Sequence, residues 1–401
     1  MWIWGRARCG RWSSHGYGKV YKMVLSGGRI RNRRNAGHWE DTDIRISKLR
    51  KPSIQAYISI SIFHLSSFLG YTVPSMAGIK AFVDSCNGML DSVPDRYMMP
   101  NEAADVSRYA VLPIVDVASE SFERDLVDAC TKYGIFYLKN HGIHTEDVMR
   151  CALEFFNSPS EDKMRYYTEE IFTPVRYCTS MMPSKEEKLE WHDHLQMWLK
   201  EESLGAHPWP AFPASYKDVG SEYARNIFKL GKRMLLVMSE GLGLRSNRLL
   251  EAFADMVLLT RANFYPACPN PRQALGMEGH TDSGGLTFVL QDGVGGLQLK
   301  QGEDWYNVRP LEGMLVVNMG DQLEKLSNGR YKSILHRVMV NSKSSRLSVG
   351  AFLGPSLDAE ISPIPELVSR DSPAKYRSRT YRDYMHEVYT EHFSGKNVYV
   401  A

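Results

Sequence analysis

The strongest constraint on the fold is a series of short apolar segments between residues 286 and 318, which alternate with turn signals. Leu286-Thr287-Phe288-Val289-Leu290 is the first of these segments, and Met314-Leu315-Val316-Val317-Asn318 is the last. The separators are Asp292-Gly293, Gly295-Gly296, Gln301-Gly302 and Glu312-Gly313. Such pairs favour tight turns, and short strands joined by frequent turns are typical of a double-sheet jelly roll. We therefore expect an α+β chain with a double-stranded β-helix (jelly-roll) core and surrounding helices.

Helical patterns lie on both sides of this strand-rich region. Apolar residues recur at helical spacing in residues 122–133 and 221–253, and again in the tail from residue 373. We expect these helices to pack around the jelly roll. The expected segments are a disordered or targeting-like extension (1–75), an N-terminal helical and mixed region (76–255), the jelly-roll core (256–360) and a C-terminal helix (361–401).

The first 75 residues differ in composition from the rest of the chain. Residues 1–51 carry 13 Lys and Arg against three Asp and Glu, so residues 52–401 have a net charge of −7. An apolar run interrupted by serines follows at residues 54–73. It is consistent with a transit peptide, a membrane anchor or an extension before a true start at Met76, and we favour the extension. The acidic body gives no indication of a nucleic-acid surface.

The six cysteines are irregularly spaced and include no Cys-x-x-Cys pair. This pattern argues against a disulfide framework or a zinc site, and it predicts a reducing compartment. We expect a cytoplasmic protein, unless residues 1–75 direct it to an organelle.

A candidate metal site is formed by two histidines and one aspartate. His280 and Asp282 are two residues apart, and side chains at i and i+2 of a strand project to the same face. His336 follows 54 residues after Asp282 in another strand-like segment. Each element alone is more often structural, but two histidines and a carboxylate together are the ligand set of non-haem Fe(II). We predict that His280, Asp282 and His336 are the metal ligands and form the catalytic centre.

A second pair at i and i+2 spacing, Arg346 and Ser348, begins ten residues after His336. The planar guanidinium group of arginine binds a carboxylate through two parallel hydrogen bonds. The serine hydroxyl can add a third hydrogen bond to the same carboxylate. We therefore predict that Arg346 and Ser348 bind a dicarboxylate close to the metal.

Taken in order, these motifs resemble those of the plant 2-oxoglutarate- and Fe(II)-dependent dioxygenases, the group that contains flavonoid oxidases and phenylpropanoid hydroxylases. The matching elements are His280-Thr281-Asp282, His336, Arg346-Leu347-Ser348 and, upstream, Asn263-Phe264-Tyr265-Pro266. The resemblance extends from about residue 112 to about residue 393.

The resemblance implies an oxidoreductase that uses Fe(II), 2-oxoglutarate as cosubstrate, molecular oxygen, and ascorbate as a stimulant. It implies that a small planar specialised metabolite, such as a flavonoid or a phenylpropanoid, is hydroxylated or desaturated. Tyr265 and Asn263 would help to bind 2-oxoglutarate, and Phe352 and Tyr177 would contact the substrate. We expect a monomer without nucleic-acid or membrane partners.

Two other functions stay open from the sequence. The first is an Fe(II) oxidase of the same fold that does not use 2-oxoglutarate, and the second is a catalytically silent small-molecule binding protein. Arg176 and Cys178 stand where many relatives have glycine, so the substrate cannot be taken from the resemblance.

Overall fold

The computed structural model describes residues 78–86, 88, 90–99 and 106–390, together with the backbone of four strands between residues 2 and 42. The chain divides into two compact units, residues 1–75 and 76–401. The first unit contains β1 (Trp2–Gly5), β2 (Tyr21–Ser26), β3 (Arg29–Arg33) and β4 (Trp39–Thr42), which pair antiparallel in chain order. These strands were not expected in an extension predicted to be disordered or targeting-like. The apolar run at residues 54–73 lies outside the described residues.

An eight-stranded sheet forms the main layer of the second unit. Its strands are β5 (Ile114–Asp116), β6 (Ile135–Lys139), β7 (Val175–Thr179), β8 (Asp193–Leu199), β9 (Val257–Tyr265), β11 (Leu286–Gln291), β14 (Leu315–Met319) and β16 (Arg346–Gly354). They lie in the order β5-β6-β14-β11-β16-β9-β8-β7. β5 pairs parallel to β6, and the other pairs in this sheet are antiparallel.

A smaller antiparallel sheet completes the core. It consists of β10 (Leu275–His280), β12 (Leu297–Gln301), β13 (Asp304–Asn307) and β15 (His336–Met339), in the order β10-β15-β12-β13. Leu259 of β9 and Met277 of β10 line the same cavity, so the two sheets enclose a common interior. This arrangement confirms the predicted α+β jelly roll. A two-stranded ribbon, β17 (Glu360–Ile361) and β18 (Arg379–Thr380), follows the core.

Helices surround the sheets, as the sequence predicts. They are α1 (Gly78–Ser85), α2 (Phe122–Lys132), α3 (Thr145–Asn157), α4 (Ser160–Met164), α5 (Tyr216–Gly241), α6 (Arg248–Phe253), α7 (Asp321–Leu326) and α8 (Tyr381–Thr390). The longest, α5, packs directly on β16. A Cβ atom at Gly231 would lie 2.3 Å from Leu353 Cδ2, so the absence of a side chain permits this close approach. Within the described residues, no helix combines the length and the apolar character needed to cross a membrane.

The expected boundary at residue 256 falls between neighbouring strands of one sheet. β8 precedes this boundary and β9 follows it, yet the two strands are paired from Asp193 opposite Phe264 to Leu199 opposite Leu258. Residues 76–255 and 256–360 therefore describe segments of the sequence, and together they contribute to one compact unit.

Candidate metal and cosubstrate site

Two neighbouring strands of the smaller sheet bring the predicted metal ligands together. His280 is the last residue of β10 and pairs with His336, the first residue of β15. Asp282 lies two residues beyond the end of β10, and its Oδ1 is 3.7 Å from His280 Nε2 and 3.6 Å from His336 Nε2. The three ligand atoms lie within 4.8 Å of one another. They can therefore contact a single metal ion.

Backbone carbonyl groups orient both imidazoles. His280 Nδ1 lies 2.8 Å from Glu278 O, and His336 Nδ1 lies 2.9 Å from Ile334 O. Because a carbonyl oxygen only accepts hydrogen bonds, each Nδ1 carries the proton and each Nε2 presents its lone pair. Burial, followed by the proximity of His336, lowers the pKa of His280 to about 4. Its imidazole is therefore neutral at neutral pH, which is the form that binds a metal.

The third predicted ligand, Asp282, is held in its ionised form. Burial alone would raise the pKa of its carboxyl group, but the two histidines and the hydrogen bond from Asn318 bring it below the usual value. Asn318 Nδ2 donates to Asp282 Oδ2 across 2.7 Å, which leaves Oδ1 facing the histidines. Two imidazoles and one carboxylate suit a divalent iron ion and leave coordination positions open.

The predicted carboxylate-binding pair lies on β16 in the main sheet. Arg346 is buried, and it donates to Ser348 Oγ across 3.0 Å and to Gln291 Oε1 across 3.1 Å. Its Cζ lies 5.0 Å from the centre of the Tyr265 ring, directly across the strand pair. Arg346 Nε is buried and has no hydrogen-bond partner among the described residues. A buried guanidinium group requires an anionic partner, so this site fits a carboxylate ligand.

Known proteins with related sequences match this arrangement. A family profile described as the 2OG-Fe(II) oxygenase superfamily matches residues 256–355, and one described as the non-haem dioxygenase in morphine synthesis N-terminal region matches residues 109–212. The chain is 36% identical to flavanone 3-dioxygenase 2 of Oryza sativa subsp. japonica over 307 residues, which cover 73% of this chain and 89% of that protein. The chain belongs to the 2OG-Fe(II) oxygenase superfamily.

Other relatives of this oxygenase agree in length and fold. A bi-functional coumaroyl CoA and feruloyl CoA ortho-hydroxylase of Ipomoea batatas is 34% identical, over 83% of this chain and 95% of the relative. The crystal structure of JOX2 in complex with 2OG, Fe and JA superimposes with a TM-score of 0.71 at 33% identity, over 82% of this chain and 96% of JOX2. The protein is therefore a 2-oxoglutarate-dependent dioxygenase that uses Fe(II).

One cavity contains most of the predicted site residues of this oxygenase. It has a volume of about 240 Å³ and lies between the two sheets. The predicted residues that line it are His280, Asp282, His336, Arg346, Ser348, Tyr265, Asn263 and Phe352. Asn263 Oδ1 is buried without a partner among the described residues. The metal and carboxylate elements, which are far apart in the sequence, therefore share one enclosed space.

The structure does not place Tyr177, the second predicted substrate residue, at this cavity. Tyr177 is buried in the apolar core, where its ring centre lies 6.0 Å from that of Phe155. Its hydroxyl donates to Asp193 Oδ2 across 3.1 Å. Asp193 also accepts hydrogen bonds from the backbone N–H groups of Ile79 and Lys80. Tyr177 and Asp193 therefore fasten α1 to the main sheet, and neither faces the metal site.

Two polar residues of the site were not predicted from the sequence. Asn318 orients a metal ligand, and Arg261 lines the cavity two residues before Asn263 on β9. Both occur in strands whose other residues are buried. A polar side chain in an otherwise apolar strand is expensive to bury, so this signal alone could have marked both positions as functional.

Proposed function

We propose that this dioxygenase hydroxylates or desaturates a small planar specialised metabolite, such as a flavonoid or a phenylpropanoid. His280, Asp282 and His336 would hold the Fe(II) ion. The observation that supports this assignment is the convergence of one carboxylate oxygen on two Nε2 atoms at 3.6 and 3.7 Å. Both Nδ1 atoms contact backbone carbonyl oxygens, as is usual for histidines that bind a metal through Nε2.

Each ligand has a defined task in this proposal. Fe(II), when bound together with 2-oxoglutarate, supplies the activation of molecular oxygen that oxidises the substrate. The two Nδ1–H groups keep His280 and His336 in the neutral tautomer that binds through Nε2. Asn318 fixes the rotation of the Asp282 carboxylate. The walls of the cavity limit access of water to the reacting atoms.

The cosubstrate would be bound mainly through its distal carboxylate. Arg346 offers the unpartnered Nε and a guanidinium plane that already contacts Ser348, so both groups can donate to the same carboxylate. Tyr265 lies across the strand pair from Arg346 and can add its hydroxyl. Asn263, opposite Ser348 on the same pair of strands, would contact the end of 2-oxoglutarate that is nearer to the metal.

The substrate region is mainly apolar and includes an aromatic ring. Phe352 lines the cavity from β16, and Leu259, Met277 and Val289 line it from three other strands. Such surfaces favour a flat, partly aromatic molecule, and Phe352 would stack on it. The relatives named above are a flavanone dioxygenase and a hydroxylase of coumaroyl and feruloyl thioesters, and they support a substrate of this class.

We further propose that the enzyme works as a cytoplasmic monomer and is stimulated by ascorbate. The residues assigned to the metal and to 2-oxoglutarate form a complete site within one chain, so the proposed site needs no second copy. Light scattering after gel filtration tests the monomer, and a fluorescent fusion of the full chain in plant cells tests the location.

The function is tested by succinate release from the iron-loaded protein in air with 2-oxoglutarate and ascorbate. Flavanones, hydroxycinnamate derivatives, salicylate and gibberellin precursors are supplied in turn, and the products are analysed by mass spectrometry. We expect at least one compound to gain an oxygen atom or lose two hydrogen atoms, with one succinate formed per product. Product formation without succinate would instead indicate an oxidase that does not use 2-oxoglutarate. Iron binding with neither product nor succinate would indicate a silent binding protein.

A further inference from the structure

A second buried arginine lines the same cavity as Arg346. Arg261 is only 5% exposed and projects from β9 into the space between the sheets. β9 and β16 are paired, and Arg261 lies opposite Gly350 on β16. The cavity therefore contains two guanidinium groups on adjacent strands, of which 2-oxoglutarate accounts for one.

The contacts of Arg261 are all with neutral groups. Its Nη2 donates to Gln196 Oε1 across 2.6 Å and to Tyr389 Oη across 2.9 Å, and it lies 3.6 Å from Met181 Sδ. Its Nε is buried and has no hydrogen-bond partner among the described residues. Within the part of the chain that the structure describes, no carboxylate forms an ion pair with Arg261.

Glu190, one of the acids that line the cavity, does not balance the charge of Arg261. Burial, followed by the charge of Glu186, raises the pKa of Glu190 to about 8. Its carboxyl group is therefore mostly protonated at neutral pH. Its Oε1 is occupied as well, because it accepts a hydrogen bond from the backbone N–H of Glu278 across 2.8 Å.

Another buried arginine, Arg176, illustrates a guanidinium group with a purely structural role in this fold. Arg176 is fully buried but does not line the cavity. It donates to the backbone oxygens of Thr168 and Met181 and lies 3.3 Å from His194 Nε2. Arg261 instead shares two properties with Arg346: it lines the cavity, and its Nε has no partner.

Burying an unpaired charge is costly, so a buried cation that faces a ligand cavity indicates an anionic ligand. We propose that Arg261 binds a carboxylate of the organic substrate, and that the enzyme acts on a small carboxylic acid. This proposal rests on the proposed function, since it places the acid beside the same metal site. The apolar part of the acid would lie along Leu259 and Phe352, and its carboxylate would accept hydrogen bonds from Arg261.

Gln196 and Tyr389 position the guanidinium group. Gln196 lies on β8, opposite Arg261 in the strand pairing, and Tyr389 lies on the C-terminal helix α8. Their two oxygens accept from Nη2, and the rest of the guanidinium group has no hydrogen-bond partner among the described residues. Arg261 is therefore a specificity-determining residue, and Gln196 and Tyr389 are positioning residues.

The test compares each acid with its methyl ester, because esterification removes the charge and changes the shape little. The pairs are 4-coumarate, salicylate and jasmonate with their methyl esters. Calorimetry without oxygen measures their dissociation constants for protein loaded with Fe(II) and 2-oxoglutarate. We expect at least one acid to bind at least about 10-fold more tightly than its ester. A hydrogen bond to a charged group strengthens binding by about this factor. If no acid binds more tightly than its ester, the proposal is overturned.

Variants of Arg261 separate a specificity role from a structural one. Arg261→Gln should abolish the preference for the acid over the ester, and Arg261→Lys should retain part of it because the charge remains. Lys185→Gln, which removes an exposed cation at the rim of the same cavity, should leave the preference unchanged. An Arg261→Gln protein that keeps the preference, or that loses affinity for 2-oxoglutarate instead, would overturn the proposal.

The result does not depend on turnover. Failure of the proposed function would appear as absence of succinate release in air, whereas failure of the Arg261 assignment would appear as equal binding of acid and ester without oxygen.

Discussion

Asn318 donates a hydrogen bond to Asp282 across 2.7 Å, although the two residues are 36 positions apart. Asn318 lies on β14 in the main sheet, opposite Thr287 of β11. The main sheet therefore sets the orientation of a ligand that follows a strand of the smaller sheet. Partners of this kind fix ligand geometry and are worth about 10- to 100-fold in metal affinity.

Asn318→Ala should weaken Fe(II) binding by about 10- to 100-fold, because the Asp282 carboxylate can then rotate away from the two histidines. Anaerobic metal titration of the apoprotein measures the change. Asn157→Ala, at the exposed end of α3, serves as the control and should bind iron like the wild type. Equal affinity in both variants would show that Asn318 does not orient Asp282.

Arg346→Lys should raise the KM for 2-oxoglutarate by about 10-fold or more, because an ammonium group cannot form two parallel hydrogen bonds to a carboxylate. Steady-state succinate release at varied 2-oxoglutarate measures this constant. The exposed residue Arg272 offers a matched Arg→Lys control that should leave the KM unchanged. An unaltered KM in Arg346→Lys would exclude Arg346 as the cosubstrate anchor.

The elements that could be predicted from the sequence are those with a local signal. Glycine-containing turns marked the short strands, and the i and i+2 spacings marked His280 with Asp282 and Arg346 with Ser348. The convergence of His336 on the first pair depends on the β10–β15 pairing, which sequence spacing alone does not fix. The resemblance to a known family supplied that information.

The features that were missed depend on contacts between distant segments. Asn318 and Arg261 become site residues only because their strands lie beside the cavity in the folded sheet. Tyr177 was assigned to the substrate from its place in a motif, but its side chain points into the core beside Phe155. Alternation along a strand identifies two faces but does not state which face borders the cavity.

Gly134 makes room for the segment that leads to His336. Its φ is +70°, and a Cβ atom there would lie 2.6 Å from Lys332 O and 2.8 Å from Ile334 Cδ1. Gly142 has a φ of +72° but nothing within 4 Å of the same position. Gly142→Ala should therefore cost only the backbone strain, about 1 kcal/mol of unfolding free energy.

Gly134→Ala should cost about 1–3 kcal/mol more than Gly142→Ala, because overpacking adds to the strain. It should also weaken iron binding, since Ile334 O orients His336. Chemical unfolding of both variants and iron titration provide the comparison. Equal losses of stability in the two variants would contradict the close packing around Gly134.

Glu190 should make stability depend on pH. Its pKa is about 8 in the folded protein and near its ordinary value when unfolded. At pH values between these two pKa values, Glu190 is protonated in the folded state and ionised in the unfolded state. The free energy of unfolding therefore falls as the pH rises towards 8. Glu190→Gln should flatten this decline in metal-free protein, whereas Glu187→Gln, at an exposed site, should not. Thermal unfolding across this range measures both, and parallel curves for the wild type and Glu190→Gln would refute the assignment.

The central claim is that His280, Asp282 and His336 close around one ferrous ion. Its most direct test is an anaerobic Fe(II) titration of the apoprotein, the Asp282→Ala and His336→Ala variants, and a His144→Ala control at an exposed position. We expect one iron per chain in the wild type and the control, and affinity at least about 100-fold lower in the two ligand variants. Wild-type affinity in Asp282→Ala or His336→Ala would contradict the account.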